Sequence, residues 1–75
     1  TALHLATRRG HTQIVQLLIE HGVDIDIQDD DGSTALHHAT RGWQVVTMQF
    51  LLRKGADVNI LDKKAWTPLH YASAI

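Results

Sequence analysis

Six histidines stand among 75 residues, and histidine is the side chain best suited to ligate a metal or move a proton near neutral pH. Three of them, His4, His37 and His70, recur every 33 residues inside Thr-Ala-Leu-His, Thr-Ala-Leu-His and Thr-Pro-Leu-His. A residue that repeats with its whole neighbourhood points to architecture, not to a reaction. His37 and His38 are adjacent, so on a helix their side chains diverge by about 100° and do not share a metal. His21 falls in a last helical turn, where its charge suits the helix dipole. Asp29, Asp31 and Gly32 resemble the middle of a calcium loop. However, Ile27 holds the position where such a loop starts and His38 the position of its closing glutamate. Ser33 and Ser73 lack the context of an activated nucleophile. With no cysteine, the chain has neither a disulfide nor a thiolate ligand. These residues predict a non-enzymatic protein with no catalytic group, no metal and no cofactor.

The elements that carry the histidines are legible in the same repeat. Residues 1–33 and 34–66 agree at thirteen positions without a gap, among them Ala6/Ala39, Leu18/Leu51, Gly22/Gly55, Asp24/Asp57 and Asp29/Asp62. Thr1, Thr34 and Thr67 can cap a starting helix, and Pro68 suits a first helical position, where no N–H is needed. First helices are expected over roughly 2–9, 35–42 and 68–74, with Leu3, Ala6, Leu36 and Ala39 at helical spacing. Second helices follow at roughly 12–21 and 45–54. Ile14, Val15, Leu17 and Leu18 form one face, which Met48, Phe50 and Leu51 repeat. Gly22 and Gly55 read as left-handed caps. The alternation in Val23-Asp24-Ile25-Asp26-Ile27 and Ala56-Asp57-Val58-Asn59-Ile60 suggests a short extended arm, with Asp29-Asp30-Asp31-Gly32 as the turn of a projecting finger.

The pattern Thr-[Ala/Pro]-Leu-His-x-Ala at this period, followed by Ile-Val-x-Leu-Leu and Gly-x-Asp, resembles the ankyrin repeat over essentially the whole chain. The resemblance implies an all-α solenoid of stacked helix pairs with hairpin-like finger loops, in units of approximately 1–33, 34–66 and a truncated 67–75. It implies that the motif histidine is buried and ties neighbouring loops together, that His11 belongs to a Gly-His turn, and that a partner protein binds the finger loops and the exposed side of the first helices. Carried onto this sequence, that surface is Gln28, Asp30, Asp31 and Ser33 on the first finger and Leu61, Lys63, Lys64 and Trp66 on the second, with Arg8, Arg9 and Arg41 on the helices. Leu51 and Asp57-Val58-Asn59 are similar to the sequence that asparaginyl hydroxylases accept in ankyrin fingers, which makes Asn59 a candidate for hydroxylation. Alternative roles are a spacer between flanking domains or an autoinhibitory segment.

Composition narrows the partner. A formal net charge of -1 gives no broad basic field for nucleic acid. The longest apolar runs, Leu17-Leu18-Ile19 and Phe50-Leu51-Leu52, fall far short of the roughly 20 residues that span a bilayer. A protein partner inside the cell, and no small-molecule substrate, is the expectation. With Thr1 opening directly into the motif, the chain reads as a piece of a longer array, marginally stable by itself.

Three departures from the repeat mark the second unit. Trp43 replaces Gly10, where a bulky residue is unfavourable at positive φ, so Gly42 is expected to cap that helix one residue early. Thr47 replaces Ile14 and is expected to weaken a core layer. Ala65 replaces Gly32 at the finger turn, next to Trp66.

Overall fold

The computed structural model describes residues 1–74. Five helices follow one another: α1 (Ala2–Arg8), α2 (Thr12–Glu20), α3 (Ala35–Arg41), α4 (Val45–Arg53) and α5 (Pro68–Ser73). Helices α1, α3 and α5 stack in one row, while α2 and α4 form a second row behind α1 and α3. There is no strand among the described residues.

The first-row helices have six or seven residues, too short to persist without capping and packing. Each starts at a threonine whose hydroxyl accepts the N–H of the motif histidine, and that histidine's ring reaches back to the threonine. The result is a capping box with histidine in place of the usual glutamate. Because Thr34 N–H donates to Nδ1 of His37 at 3.0 Å, the ring proton sits on Nε2, which donates to the Trp66 carbonyl at 2.9 Å. His4 makes the corresponding loop tie to the Ile27 carbonyl at 2.8 Å. Both rings are buried, as the resemblance implied, whereas His70 is exposed and has no loop tie among the described residues.

The core is Leu3, Ala6, Val15, Ala35, Leu36, Ala39, Phe50 and Leu51. Alanine at positions 35 and 39 is fully buried and lets α3 approach both neighbours closely. Thr7 and Thr40, buried in the same row, hand their hydroxyls to the carbonyls of Leu3 and Leu36 one turn earlier. Equivalent residues differ in burial with their place in the stack: Leu36, flanked on both sides, is 3% exposed and Leu69 is 69% exposed.

Several expectations change. Ile14 and Leu17 do not join the buried face; both are exposed, and Val15 alone of α2 is fully buried. Thr47 is buried in its layer with its hydroxyl satisfied, meeting that of Thr12 at 2.8 Å inside the α2–α4 contact. Gly42 does cap α3, but with φ -89° and at the position equivalent to Arg9 after α1, so it does not relieve Trp43, which itself takes φ 53°. Residues 23–27 form no extended arm. Asp24 Oδ1 accepts the N–H of Asp26 and turns the chain there, and Asp57 does the same for Asn59. Gly22 and Gly55 do take positive φ, at 91° and 88°.

Candidate partner-binding surface

The base of each finger is organised by one aspartate. Asp29 accepts the N–H groups of Asp31 and Ser33 on Oδ1 at 2.9 and 3.0 Å, while its own N–H donates to the Ser33 carbonyl. Asp62 repeats this with Lys64 and Trp66. Each carboxylate offers its second oxygen to the helix that follows. Asp29 Oδ2 accepts from His38 Nε2 at 2.7 Å, and Asp62 Oδ2 accepts from the Tyr71 hydroxyl. His38 and Tyr71 occupy the same repeat position, so one finger is latched by a titratable imidazole and the other by a phenol.

These contacts set the protonation states. Desolvation pushes Asp29 up, but the His38 hydrogen bond and the N–H groups of Ser33 and Asp31 outweigh it and hold its pKa at about 2. Asp62 is likewise held below its ordinary value: desolvation raises it, and Tyr71, Trp66 and Lys64 more than offset the rise. Tyr71 is pushed up by desolvation and by the Asp62 carboxylate. Desolvation holds His38 below the usual histidine range, helped by the Arg41 charge and opposed by Asp29.

Arg41 joins the two latches. Its Nη2 donates to His38 Nδ1 at 2.9 Å and to Ser33 Oγ at 3.1 Å, and its guanidinium lies 5.1 Å from the Tyr71 ring centre. Tyr71 in turn meets Trp66 at 4.8 Å between ring centres. Trp66 closes the second finger where it enters α5 instead of standing at the tip, with 38% of its surface exposed.

Of the residues proposed from sequence, Arg8, Arg9, Gln28, Asp30, Asp31, Arg41, Leu61, Lys63, Lys64 and Trp66 are exposed. Ser33 is not available to a partner: it is fully buried and anchors Arg41. The two fingers lie against each other, with Lys63 N–H on the Asp31 carbonyl and the Gln28 amide on the Leu61 carbonyl. Asp30 and Asp31 therefore neighbour Lys63 and Lys64, yet no lysine or arginine pairs with a carboxylate among the described residues, and the His38–Asp29 contact is an ion pair only when His38 is protonated. His38 and Tyr71 were missed as surface-organising groups. The signal available was the coincidence of period 33, which aligns both pairs, Asp29/Asp62 and His38/Tyr71.

Stacked pairs of short helices joined by fingers at a 33-residue period coincide with a family match: the profile for ankyrin repeats (3 copies) covers residues 1–62. The chain belongs to the ankyrin-repeat family. Ankyrin repeats generally mediate interaction between proteins. This ankyrin stack is 47% identical over 32 residues to the E3 ubiquitin-protein ligase mind-bomb of Drosophila melanogaster, a match covering 43% of the chain and 3% of that relative. It is 50% identical over 34 residues to protein phosphatase 1 regulatory subunit 12A of Mus musculus, covering 45% and 3%. With the potassium channel AKT1 of Oryza sativa subsp. indica the identity is 56% over 34 residues, covering 45% and 4%. The matched stretch is thus about one repeat and a very small part of each relative. No helix among the described residues is long and apolar enough to cross a membrane.

Proposed function

We propose that this ankyrin stack binds a partner protein through its two fingers and the exposed side of the first-row helices, and that it carries no reaction of its own. The observation that supports this best is Trp66. It is an exposed tryptophan whose backbone is held by three hydrogen bonds and whose ring meets a neighbouring tyrosine, beside exposed charges of both signs that lack ion-pair partners among the described residues. Rigid aromatic anchors with polar surroundings are where binding energy concentrates. Trp66→Ala should lower partner affinity by more than about 1 kcal/mol, roughly fivefold, with helical content unchanged. Calorimetry on partner captured by the parent protein checks this, and unchanged affinity would sink the assignment.

A spacer role is the second reading. It is favoured by the apolar groove of Met48, Leu52, Val58, Pro68 and Leu69, which is suited to packing against further helices. Under that reading, partner capture is insensitive to changes at Trp66, Lys63 and Lys64. Asn59 is exposed, with its N–H on Asp57, and we propose it as a hydroxylation acceptor. Mass spectrometry of its peptide from native cells should then show one added oxygen, and none would refute it.

A further inference from the structure

We infer that Arg41 is a preset receptor for a carboxylate of the partner, an aspartate or glutamate side chain, and that neutral His38 is the residue that positions it. The inference rests on the protein-binding reading and names the chemistry that the finger and first-row surface recognises.

A guanidinium has five N–H donors and, when free, a long flexible stem that must be ordered on binding. Here the ordering is already done. Arg41 Nη2 donates to the buried Ser33 hydroxyl and to His38 Nδ1, and the guanidinium lies against Tyr71, with which it also interacts through the hydroxyl. The remaining donors are on Nε and Nη1 of an exposed residue. No carboxylate of the described residues pairs with it, since Asp29 is taken by His38 and Asp62 by Tyr71. The structure therefore holds an exposed, immobilised cation with no carboxylate directly paired to it among the described residues, against Tyr71 and, through it, Trp66, whose rings can cover the residues flanking an incoming acid. Arg8 stands at the equivalent place one unit earlier and has none of these restraints among the described residues. A singly charged carboxylate suits the site better than a dianionic phosphate, because Asp29 and Asp62, each held by a residue that Arg41 itself touches, penalise a second negative charge more.

His38 gives this site a signature that a purely structural arginine would not have. With its proton on Nε2, donated to Asp29, His38 presents Nδ1 as an acceptor to Arg41. Protonation turns Nδ1 into a donor facing another donor and adds a like charge. The charged and titratable groups around this ring are Asp29 from the finger, Arg41 from its own helix, His4 of α1 with ring centres 5.6 Å apart, and Tyr71 of α5, reached through Arg41. None of them can replace the lost acceptor.

The probes are acetyl-Gly-Asp-Gly-amide, its asparagine counterpart and inorganic phosphate, titrated into the chain while the Arg41 Nε–H and Trp66 indole signals are followed by NMR. The expected result is a saturable shift with the aspartate peptide, none with the asparagine peptide, and weaker binding of phosphate. Arg41→Lys keeps the charge but loses the held planar donors, and should weaken the aspartate peptide about tenfold. His38→Tyr keeps a donor for Asp29, as Tyr71 does for Asp62, but removes the acceptor for Arg41. It should weaken the peptide and abolish the fall in affinity that the unaltered chain shows as pH drops below the usual histidine range. Equal binding of the asparagine peptide, tighter binding of phosphate, or full affinity in Arg41→Lys overturns the carboxylate site. An unchanged pH profile in His38→Tyr overturns the positioning role. Neither result touches Trp66, whose effect on partner capture is measured separately.

Discussion

The motif histidine caps its helix at all three equivalent positions but, among the described residues, ties a neighbouring loop only at His4 and His37, and its neighbours decide which. His37 is fully buried and holds Thr34 with Nδ1 and the Trp66 carbonyl with Nε2, whereas exposed His70 holds only its own cap. His37→Ala should therefore destabilise the chain by about 3 kcal/mol, from cavity formation plus orphaned buried groups, and His70→Ala by less than about 1. Urea denaturation of the two variants checks the ratio. Asp29 and His38 give a pH dependence of definite sign. The folded pKa of Asp29 is about 2 against an ordinary 3.8, so its contribution is complete above about pH 4 and disappears as pH falls through 2. The shift corresponds to about 2 kcal/mol, less after solvent screening. His38 is also held below its ordinary 6.5, so stability is lost as pH falls from there, where the unfolded chain takes up a proton first. Asp29→Asn should flatten the acid limb of a stability–pH curve, and an unaltered limb would contradict the latch.

At the scale of the element, the threonine caps, Pro68 and the glycines after α2 and α4 were legible because each answers a local backbone need. What was not legible depends on who stands next in the stack. Ile14 and Thr47 share a repeat position, yet only Thr47 is buried, because its hydroxyl finds Thr12 one unit earlier. The finger turns show the same dependence. A Cβ on Gly32, at φ 72°, would lie 3.0 Å from the Lys63 nitrogen of the next finger. Ala65, at φ 61°, already carries a Cβ at the equivalent place. Gly32→Ala should destabilise by about 2 kcal/mol or more, combining left-handed strain with a backbone clash. Ala65→Gly should be neutral to stabilising by about 1 kcal/mol. Thermal denaturation of both variants tests this opposition, which sequence equivalence alone does not foresee.

For the whole molecule, the solenoid was readable from one repeated motif, since a helix pair with two apolar sides has to stack. The surface was readable only in part. Exposed finger residues followed from their place in the repeat, but Ser33 turned inward, and the line from Asp29 through His38, Arg41 and Tyr71 to Trp66 exists only because separate units come together. That line makes the finger and first-row side the organised side, with α2 and α4 behind it. A photo-crosslinking amino acid placed at Lys63 on the second finger, and in a separate variant at exposed Gln49 on α4, compares the two directly in the parent protein within cells. Partner binding through the fingers predicts discrete crosslinked proteins from position 63 that weaken with Trp66→Ala, and none of them from position 49. The same crosslinks from both positions, or from position 49 alone, would contradict it.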